Sequence, residues 1–339
     1  MKQNKVTVKD DLLDETGQLK HRGYATSLVL NYNRQQVKAK KSRIKEWDYY
    51  FFGNDKYGVA LTIADNSYMG LIGATFFDFA NKKKQDFKRI IPFTNGKLNL
   101  PVDSMKGDID YHDKKISFQA LLKNGKRELY VNIPKFSKGQ SFEFKASVEY
   151  MNDDTMVIMT PYKDDRLAFY YNQKINNLKA DGTLKLAGKQ YPFKDEQGVL
   201  DWGRGVWTRD NTWYWSSMST VLADGTPFGF NLGYGFGDTS AASENMAFYQ
   251  GRAYKLNDVD FGLPNDNFSR DWHFTSKDGL IDLTFTPIYD NRTLINLLLI
   301  KQDAHQVFGR FSGVIKLGDG QKVKISQAFG FAEKVRNVW

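Results

Sequence analysis

The sequence of 339 residues contains no cysteine and only four histidines. The absence of cysteine excludes disulfide frameworks, thiolate nucleophiles, thiolate zinc sites and iron–sulfur clusters. No two histidines have the spacing of a metal-binding pair, so we predict no metal site. The glycine-rich residues 229–237 lack the strand-to-helix context of a dinucleotide fingerprint, so we predict no cofactor. Chemistry in this protein must use oxygen, nitrogen or aromatic groups.

Long hydrophobic runs are also missing. The first residues, MKQNKVTVKDDLLDETG, have no apolar segment behind their lysines and do not resemble a secretory signal. The longest apolar run of the second half, residues 294–300, is far shorter than the ~20 residues that span a bilayer. These two features predict a soluble, cytoplasmic protein.

Positive charge is concentrated in the first half of the chain. Residues 1–180 contain 31 Lys and Arg against 21 Asp and Glu, whereas residues 181–339 contain 17 against 18. The excess lies between Lys38 and Lys45 and between Lys82 and Lys84. This asymmetry allows a peripheral contact with an anionic membrane through these two lysine runs. Nucleic acid is not an expected partner, because no binding motif accompanies the lysines and the aromatic window lies in the neutral half.

Helical periodicity is scarce, and alternation of apolar and polar residues is widespread. The only plausible helix covers residues 37–47. Asn-Gly and Asp-Gly pairs at 124–125, 181–182, 224–225, 278–279 and 319–320 predict tight turns between strands. The pattern predicts an all-β protein with two antiparallel β-barrel or sandwich halves packed together. We place the domain boundary at the turn that ends at Gly182, with domains at residues 1–180 and 181–339.

Residues 201–217, DWGRGVWTRDNTWYWSS, contain four of the seven tryptophans. If residues 213–217 form a strand, Trp213 and Trp215 share one face and Tyr214 lies on the other. Paired indoles suit the wall of a pocket better than a barrel core. Gly203 and Gly205 indicate a bulge or a close approach of the backbone.

Asp201 has two possible roles in this window. In apolar surroundings its pKa would rise and it would act as a general acid, or it would pair with Arg204 or Arg209 as a structural latch. The sequence leaves both roles open.

Other polar residues extend the candidate site. Glu244 and Asn245 lie in a loop after the glycine-rich strand, Trp47 and Asp65 are candidates for the opposite wall, and His305 could orient a ligand. The predicted catalytic residues are Asp201, Arg204 and Glu244. The predicted substrate-binding residues are Trp47, Asp65, Trp202, Trp207, Trp213, Tyr214, Trp215, Asn245 and His305.

Several of these stretches resemble a bacterial family of uncharacterised function: residues 23–26 (GYAT), 43–50 (RIKEWDYY), 201–207 (DWGRGVW), the glycine-rich strand and 330–339 (GFAEKVRNVW). Residues 180–191, 198–203 and 213–232 are more distantly similar to the passage between the domains of two-domain lipocalin-like proteins. Those proteins include carotenoid 1,2-hydratases, tocopherol cyclases and AttH-like proteins.

The distant resemblance implies two β-barrel halves around a pocket for a long apolar substrate, with cofactor-free, acid-initiated addition of water or ring closure. The hydratases have a histidine in this motif, whereas Trp202 follows Asp201 here, which puts the proton-transfer role of the motif in doubt. Tryptophan faces could still stabilise a developing carbocation.

Three functions are consistent with the sequence. The first is a cofactor-free hydratase, cyclase or isomerase that acts on a hydrophobic or amphiphilic small molecule in a tryptophan-lined pocket between the two halves. The second is a non-catalytic carrier of lipids or isoprenoids. The third is a carbohydrate-binding or carbohydrate-cleaving protein, in which Asp201 would face Glu244 or Asp65.

Overall fold

The computed structural model describes residues 3–264, 267–296 and 300–339. In these residues the chain forms β-strands and two short 3-10 turns, Arg34–Gln36 and Lys41–Arg43. In chain order the strands are β1 (Asp10–Asp11), β2 (Gly23–Ala25), β3 (Leu30–Asn31), β4 (Ile44–Gly53), β5 (Tyr57–Asp65), β6 (Met69–Asp78), β7 (Lys83–Pro92), β8 (Ile109–His112), β9 (Ser117–Lys123), β10 (Lys126–Ser137), β11 (Gln140–Tyr150), β12 (Met156–Tyr162), β13 (Asp165–Leu186), β14 (Lys189–Val206), β15 (Asp210–Val221), β16 (Pro227–Tyr234), β17 (Met246–Tyr249), β18 (Arg252–Lys255), β19 (Val259–Asp260), β20 (Trp272–Ser276), β21 (Ile281–Asn296), β22 (Lys301–Lys316) and β23 (Lys322–Val338).

Two large antiparallel sheets account for nearly all of these strands, which confirms the predicted all-β fold with two β-halves. The first sheet has the order β7-β6-β5-β4-β14-β13-β11-β10-β9-β8, with β12 and β2 attached beside β13. The second has the order β18-β17-β16-β15-β23-β22-β21-β20-β19. Strands β1 and β3 form a separate parallel pair. None of the helical turns in the described residues has the length and hydrophobicity of a membrane-spanning helix.

The helix predicted at residues 37–47 is wrong. Two 3-10 turns precede β4, which starts at Ile44 and pairs with β5 on one side and β14 on the other. Over a few residues the apolar positions of this segment fit both the helical and the strand period. Pairing with a strand on each side stabilises the extended form. The apolar run at 294–300 begins in β21, and residues 297–299 lie outside the described part of the chain.

Strand pairing differs from the predicted domain boundary at 180/181. The break between the two sheets lies between Val206 and Asp210, because β13 and β14 both belong to the first sheet. Asp181 and Gly182 lie inside β13 rather than in a turn. A Cβ on Gly182 would overlap the carbonyl oxygen of Lys145 on β11, so this glycine permits close strand approach. By contrast, Asn124 and Gly125 form the predicted β9–β10 turn, with φ of 51° and 77°.

Each sheet covers its own apolar core with one face. Strand β11 shows the pattern, because Phe142, Phe144, Ala146 and Val148 are buried in the first core while the residues between them point outward. Burying each such large side chain stabilises the fold by about 1.5–3 kcal/mol. Strands β15, β16, β20, β21 and β22 contribute to the core of the second half.

The remaining faces of the two sheets pack against each other. Phe77 and Phe79 of β6 and its turn contact Phe308 of β22, with ring centroids 4.8 Å apart in both pairs. Phe51 and Phe331 complete this third apolar cluster, which joins the two halves. A fourth apolar cluster joins Ile158 and Tyr170 of the first sheet to Phe236 and Phe248 of the second half. The candidate site lies between the two sheets beside these clusters.

Candidate functional site

A cavity of about 460 Å³ opens between the first and second sheets. One wall is formed by strands β4 to β7, β13 and β14 of the first sheet. The other wall is formed by strands β15, β21, β22 and β23 of the second sheet. The residues that line the cavity are Trp47, Tyr49, Thr62, Ala64, Asn66, Tyr68, Met69, Leu71, Lys88, Ile90, Tyr170, Lys174, Asp201, Trp207, Trp213, Trp215, Phe236, Glu244, Ile295, Ile300, Lys301, Gln302, Gln306, Glu333, Asn337 and Trp339. Its size is that of a small-molecule site.

Aromatic rings form a continuous wall of this cavity. Trp207 lies 5.1 Å from Trp47 and 5.0 Å from Phe236, measured between ring centroids. Phe236 in turn contacts Trp213 at 4.8 Å and stacks on Tyr170 at 4.4 Å. Because these rings hold one another, the wall is a rigid apolar surface with several π-faces.

The period of β15 places two tryptophans on the cavity side. Trp213 and Trp215 line the cavity, whereas Tyr214 packs into the second core against Tyr234, at 4.5 Å between ring centroids. The predicted division of these residues between two faces is confirmed. The Nε1–H of Trp215 donates to Oδ1 of Asn231 at 2.7 Å, which satisfies the indole without using the cavity.

A buried ion pair lies in the wall beside these tryptophans. Lys174 on β13 is the register partner of Asp201 on β14, and its Nζ donates to Oδ2 of Asp201 at 2.8 Å. Asn172 Nδ2 donates to the other oxygen, Oδ1, at 2.6 Å. The Lys174 ammonium also lies 3.8 Å above the ring of Trp215. Both oxygens of Asp201 therefore already accept hydrogen bonds from the protein.

Glu333 on β23 is a second buried acid in the cavity. It is only 8% exposed, and Gln306 Nε2 donates to its Oε1 at 2.6 Å. Gln306 Nε2 also donates to the hydroxyl of Tyr49 at 3.1 Å, which links Glu333 to the first sheet. Burial raises the pKa of Glu333 to about 7, although the hydrogen bond from Gln306 and the Lys174 ammonium oppose this rise. At neutral pH both the protonated and the ionised form of this carboxyl group are therefore populated.

Glu244 is the third acid of the cavity, and its carboxyl group lies against Gly233 of β16. A Cβ on Gly233 would lie 2.6 Å from Oε1 of Glu244, so glycine at this position makes room for the carboxyl group. Asn231 Nδ2 donates to Oε2 of Glu244 at 3.4 Å. Burial raises the pKa of Glu244, and the Lys174 ammonium lowers it in part. The Lys174 ammonium group therefore bonds Asp201 and lowers the pKa of both Glu244 and Glu333.

Gly203 allows the aromatic wall to approach the first sheet closely. Its register partner is Trp47 on β4, and a Cβ on Gly203 would overlap the Trp47 ring. The close backbone approach that the sequence indicated at Gly203 is therefore present. The indole of Trp47 lies flat over this gap, where it lines the cavity.

The sequence model of a family described as a domain of unknown function (DUF2804) matches residues 3–339. The chain belongs to this family. The predicted membership of a family of uncharacterised function is thereby confirmed. No curated protein matches the sequence.

Two solved structures have a similar fold. The kievitone hydratase from Nectria haematococca is 11% identical with a TM-score of 0.56, and the alignment covers 98% of each chain. An AttH-like protein from Nitrosomonas europaea is 12% identical with a TM-score of 0.51, and the alignment covers 90% of this chain and 96% of that one. At these identities the likeness shows the fold alone, and it confirms the distant resemblance to lipocalin-like hydratases and AttH-like proteins.

Six of the predicted site residues meet in the cavity of this family member. They are Trp47, Asp201, Trp207, Trp213, Trp215 and Glu244. The structure thus joins residues from β4, β14, β15 and the loop after β16, which are far apart in the sequence.

Arg204 and Trp202 lie on the opposite face of β14 from Asp201. The Arg204 guanidinium is fully buried and donates to Asp48 Oδ1 at 3.1 Å and to the carbonyl oxygen of Pro101 at 2.6 Å. It also lies 4.3 Å from the ring of Trp202, in the first core. The expected pair of Asp201 with Arg204 is replaced by the pair with Lys174, because residues three apart on a strand point to opposite faces.

The remaining predicted residues lie outside the cavity lining. Asp65 accepts hydrogen bonds from Thr94 Oγ1 at 2.8 Å and from backbone N–H groups of the turns around it. Asn245 Oδ1 accepts from the N–H of Gly233 at 2.8 Å. His305 Nδ1 bonds Asp290 at 2.7 Å and its ring stacks on Phe268. Tyr214 belongs to the second core. These four residues order the walls around the cavity.

Several polar residues of the cavity were not predicted, among them Lys174, Glu333, Gln306 and Tyr49. Glu333 had a recognisable signal, because it lies between Phe331 and Val335 at the apolar positions of an alternating strand. A lone acid at such a position is buried, and a buried acid is a candidate for function. Lys174 had no such signal, because Asn172 and Asn176, which share its face of β13, are also polar.

Proposed function

We propose that the protein is a cofactor-free, acid-initiated hydratase, cyclase or isomerase that acts on a hydrophobic or amphiphilic small molecule in the cavity between the two sheets. The observation that carries the proposal is Glu333, a buried carboxyl group that faces an aromatic cavity and has a pKa of about 7. A general acid works best when its pKa lies near the operating pH.

Glu333 is the proton donor in this proposal, and Asp201 is a fixed counter-charge. Asp201 accepts hydrogen bonds on both oxygens, from the Lys174 ammonium group and from Asn172, whereas the partners of Glu333 are the neutral side chains of Gln306 and Trp213. The proton of Glu333 passes to one carbon of a double bond, and positive charge develops on the neighbouring carbon. The faces of Trp213 and Trp215 and the Asp201 carboxylate stabilise that charge.

The last step decides between the three reaction types. In a hydratase, the oxygen of a water molecule adds to the cationic carbon and the water returns one proton to Glu333. In a cyclase, a second double bond or a hydroxyl group of the substrate attacks the cationic carbon, and the cation that results loses a proton from carbon or from oxygen to Glu333. In an isomerase, a neighbouring carbon loses a proton to Glu333. The carboxyl group is restored in each case, so no cofactor is consumed. The fold that the chain shares with a hydratase supports this class.

Deuterium incorporation tests the proposal. The protein is incubated in heavy water with a panel of long-chain alkenes and isoprenoid alcohols, and recovered molecules are analysed by mass spectrometry. We expect deuterium on carbon with the wild-type protein and none above the protein-free level with Glu333→Gln. The matched control is Glu196→Gln, which changes a carboxyl group that bonds Asn54 outside the cavity and should incorporate normally.

Asp201→Asn separates the two roles that the sequence left open for Asp201. Lost incorporation in a folded variant supports a role in the reaction, and a variant that does not fold makes Asp201 a structural latch. Molecules that bind the wild-type protein without any deuterium incorporation would instead support the non-catalytic carrier, which needs only the apolar wall. Asp65 lies outside the cavity, so a carbohydrate-cleaving pair of Asp201 and Asp65 is not supported.

A further inference from the structure

The cavity runs across the strands of the first sheet. Asp201 on β14 is the register partner of Tyr49 on β4, and Tyr49 is the partner of Thr62 on β5. The same row continues through Gly73 on β6 to Lys88 on β7. Four strand spacings of ~4.8 Å place the backbones of Asp201 and Lys88 about 19 Å apart. A ligand that follows the row must be elongated.

Small and apolar residues separate the two ends of this row. The side chains in the middle of the sheet surface are small, at Thr62, Ala64 and Gly73, whereas large aromatic rings project from the sheet at the Asp201 end. Leu71 and Ile90 are register partners in the adjacent row and also line the cavity. The middle of the cavity therefore accepts a hydrocarbon chain and offers few polar partners.

The two ends of the row differ in charge. At one end the cavity is lined by the three carboxyl groups of Asp201, Glu244 and Glu333 and by the ammonium group of Lys174. Lys255, behind this wall, also lowers the pKa of Glu244. At the other end Lys88 is half exposed, and its Nζ lies 3.8 Å from Oδ2 of Asp86. The carboxyl groups disfavour an anionic group at the first end, and the Lys88 ammonium group favours it at the second.

We propose that the substrate is an elongated amphiphile whose anionic head group lies at Lys88, while the double bond that receives the proton lies near Glu333. The inference rests on the proposed function and adds the chemical class and the direction of the substrate. Lys301 of β22 also lines the cavity.

Binding of three matched probes tests the inference. Palmitoleate, palmitoleyl alcohol and palmitoleyl amine share one chain and differ in head-group charge. Their dissociation constants are measured with the full chain by quenching of tryptophan fluorescence, at low ionic strength and below the concentrations at which they aggregate. The variant is Lys88→Glu. The control is Lys83→Glu, which makes the same charge change on the opposite face of β7.

We expect palmitoleate to bind the wild-type protein more tightly than the alcohol does, and Lys88→Glu to raise the dissociation constant for palmitoleate about tenfold. The constant for the alcohol should stay unchanged in both variants, and Lys83→Glu should leave palmitoleate binding intact. High salt should reduce the preference for palmitoleate.

Two results would overturn the inference while leaving the proposed function in place. One is equal binding of palmitoleate and the alcohol, with no effect of Lys88→Glu. The other is tightest binding of the amine, with loss in Glu333→Gln and none in Lys88→Glu, which would place the head group at the acidic end. If none of the three probes binds, the cavity does not accept long apolar ligands, and the inference and the proposed function both fail.

Discussion

Replacement of Lys174 by Met is expected to lower the free energy of unfolding by about 3–5 kcal/mol. Lys174 is 3% exposed and carries the positive charge that faces Asp201, so its removal leaves that carboxylate buried beside two further acids. The methionine fills much of the same volume, so the loss reports mainly on charge rather than on packing. Urea unfolding followed by tryptophan fluorescence measures it.

Two further variants test the physical cause. Adding Asp201→Asn to Lys174→Met should recover a large part of the lost stability, because the uncompensated charge is removed and Asn172 can still donate to Oδ1. The control is Lys179→Met on the same strand, whose Nζ bonds Glu149 near the surface at 2.9 Å and should cost only about 0–1 kcal/mol. Equal losses in the free energy of unfolding at positions 174 and 179 would show that the buried Lys174–Asp201 pair contributes no more to stability than a surface pair.

Replacement of Glu333 by Gln should make the protein more stable above neutral pH. The pKa of Glu333 is raised from 4.5 to about 7 in the folded protein, so the native state holds this proton while the unfolded state has already lost it. The contribution of Glu333 to the free energy of unfolding is therefore fully present below pH 4.5 and is lost as the pH rises through 7. The total loss is about 3 kcal/mol, since one pKa unit corresponds to about 1.4 kcal/mol.

The glutamine variant does not lose this proton, and its Oε1 can still accept the hydrogen bond from Gln306. Its free energy of unfolding should match that of the wild-type protein at pH 4.5 and exceed it by about 3 kcal/mol at pH 8. Urea unfolding at a series of pH values measures the difference. A constant difference across this range would mean that Glu333 titrates at the same pH in the folded and unfolded states.

Local patterns in the sequence predicted much of the fold. The alternation along Trp213, Tyr214 and Trp215 assigned each ring to the correct face, and the Asn124–Gly125 pair formed the expected turn. Asp181 and Gly182 carry the same turn signal but lie inside β13. The reason is tertiary, since Gly182 is needed where β11 approaches closely, and a sequence does not reveal which strand will lie beside a glycine.

Only part of the site could be predicted from the sequence, again because the rest depends on tertiary structure. Its tryptophans and Asp201 are concentrated in one window and could be recognised, whereas Lys174 and Glu333 reach the same cavity from β13 and β23. Their proximity depends on the order β13-β14 in one sheet and on the position of β23 between β15 and β22 in the other. The wrong prediction of Arg204 as a site residue could have been avoided, because residues three apart on a strand, such as Asp201 and Arg204, point to opposite faces.

The central claim is that Glu333 carries an exchangeable proton in the cavity near neutral pH. Infrared difference spectra of the wild-type protein minus Glu333→Gln, recorded over a pH series, detect the carbonyl band of a protonated carboxyl group directly. We expect one such band in the difference spectrum, decreasing with a midpoint near pH 7. A band that has vanished by pH 5, or the same band in the glutamine variant, would contradict Glu333 as the proton donor.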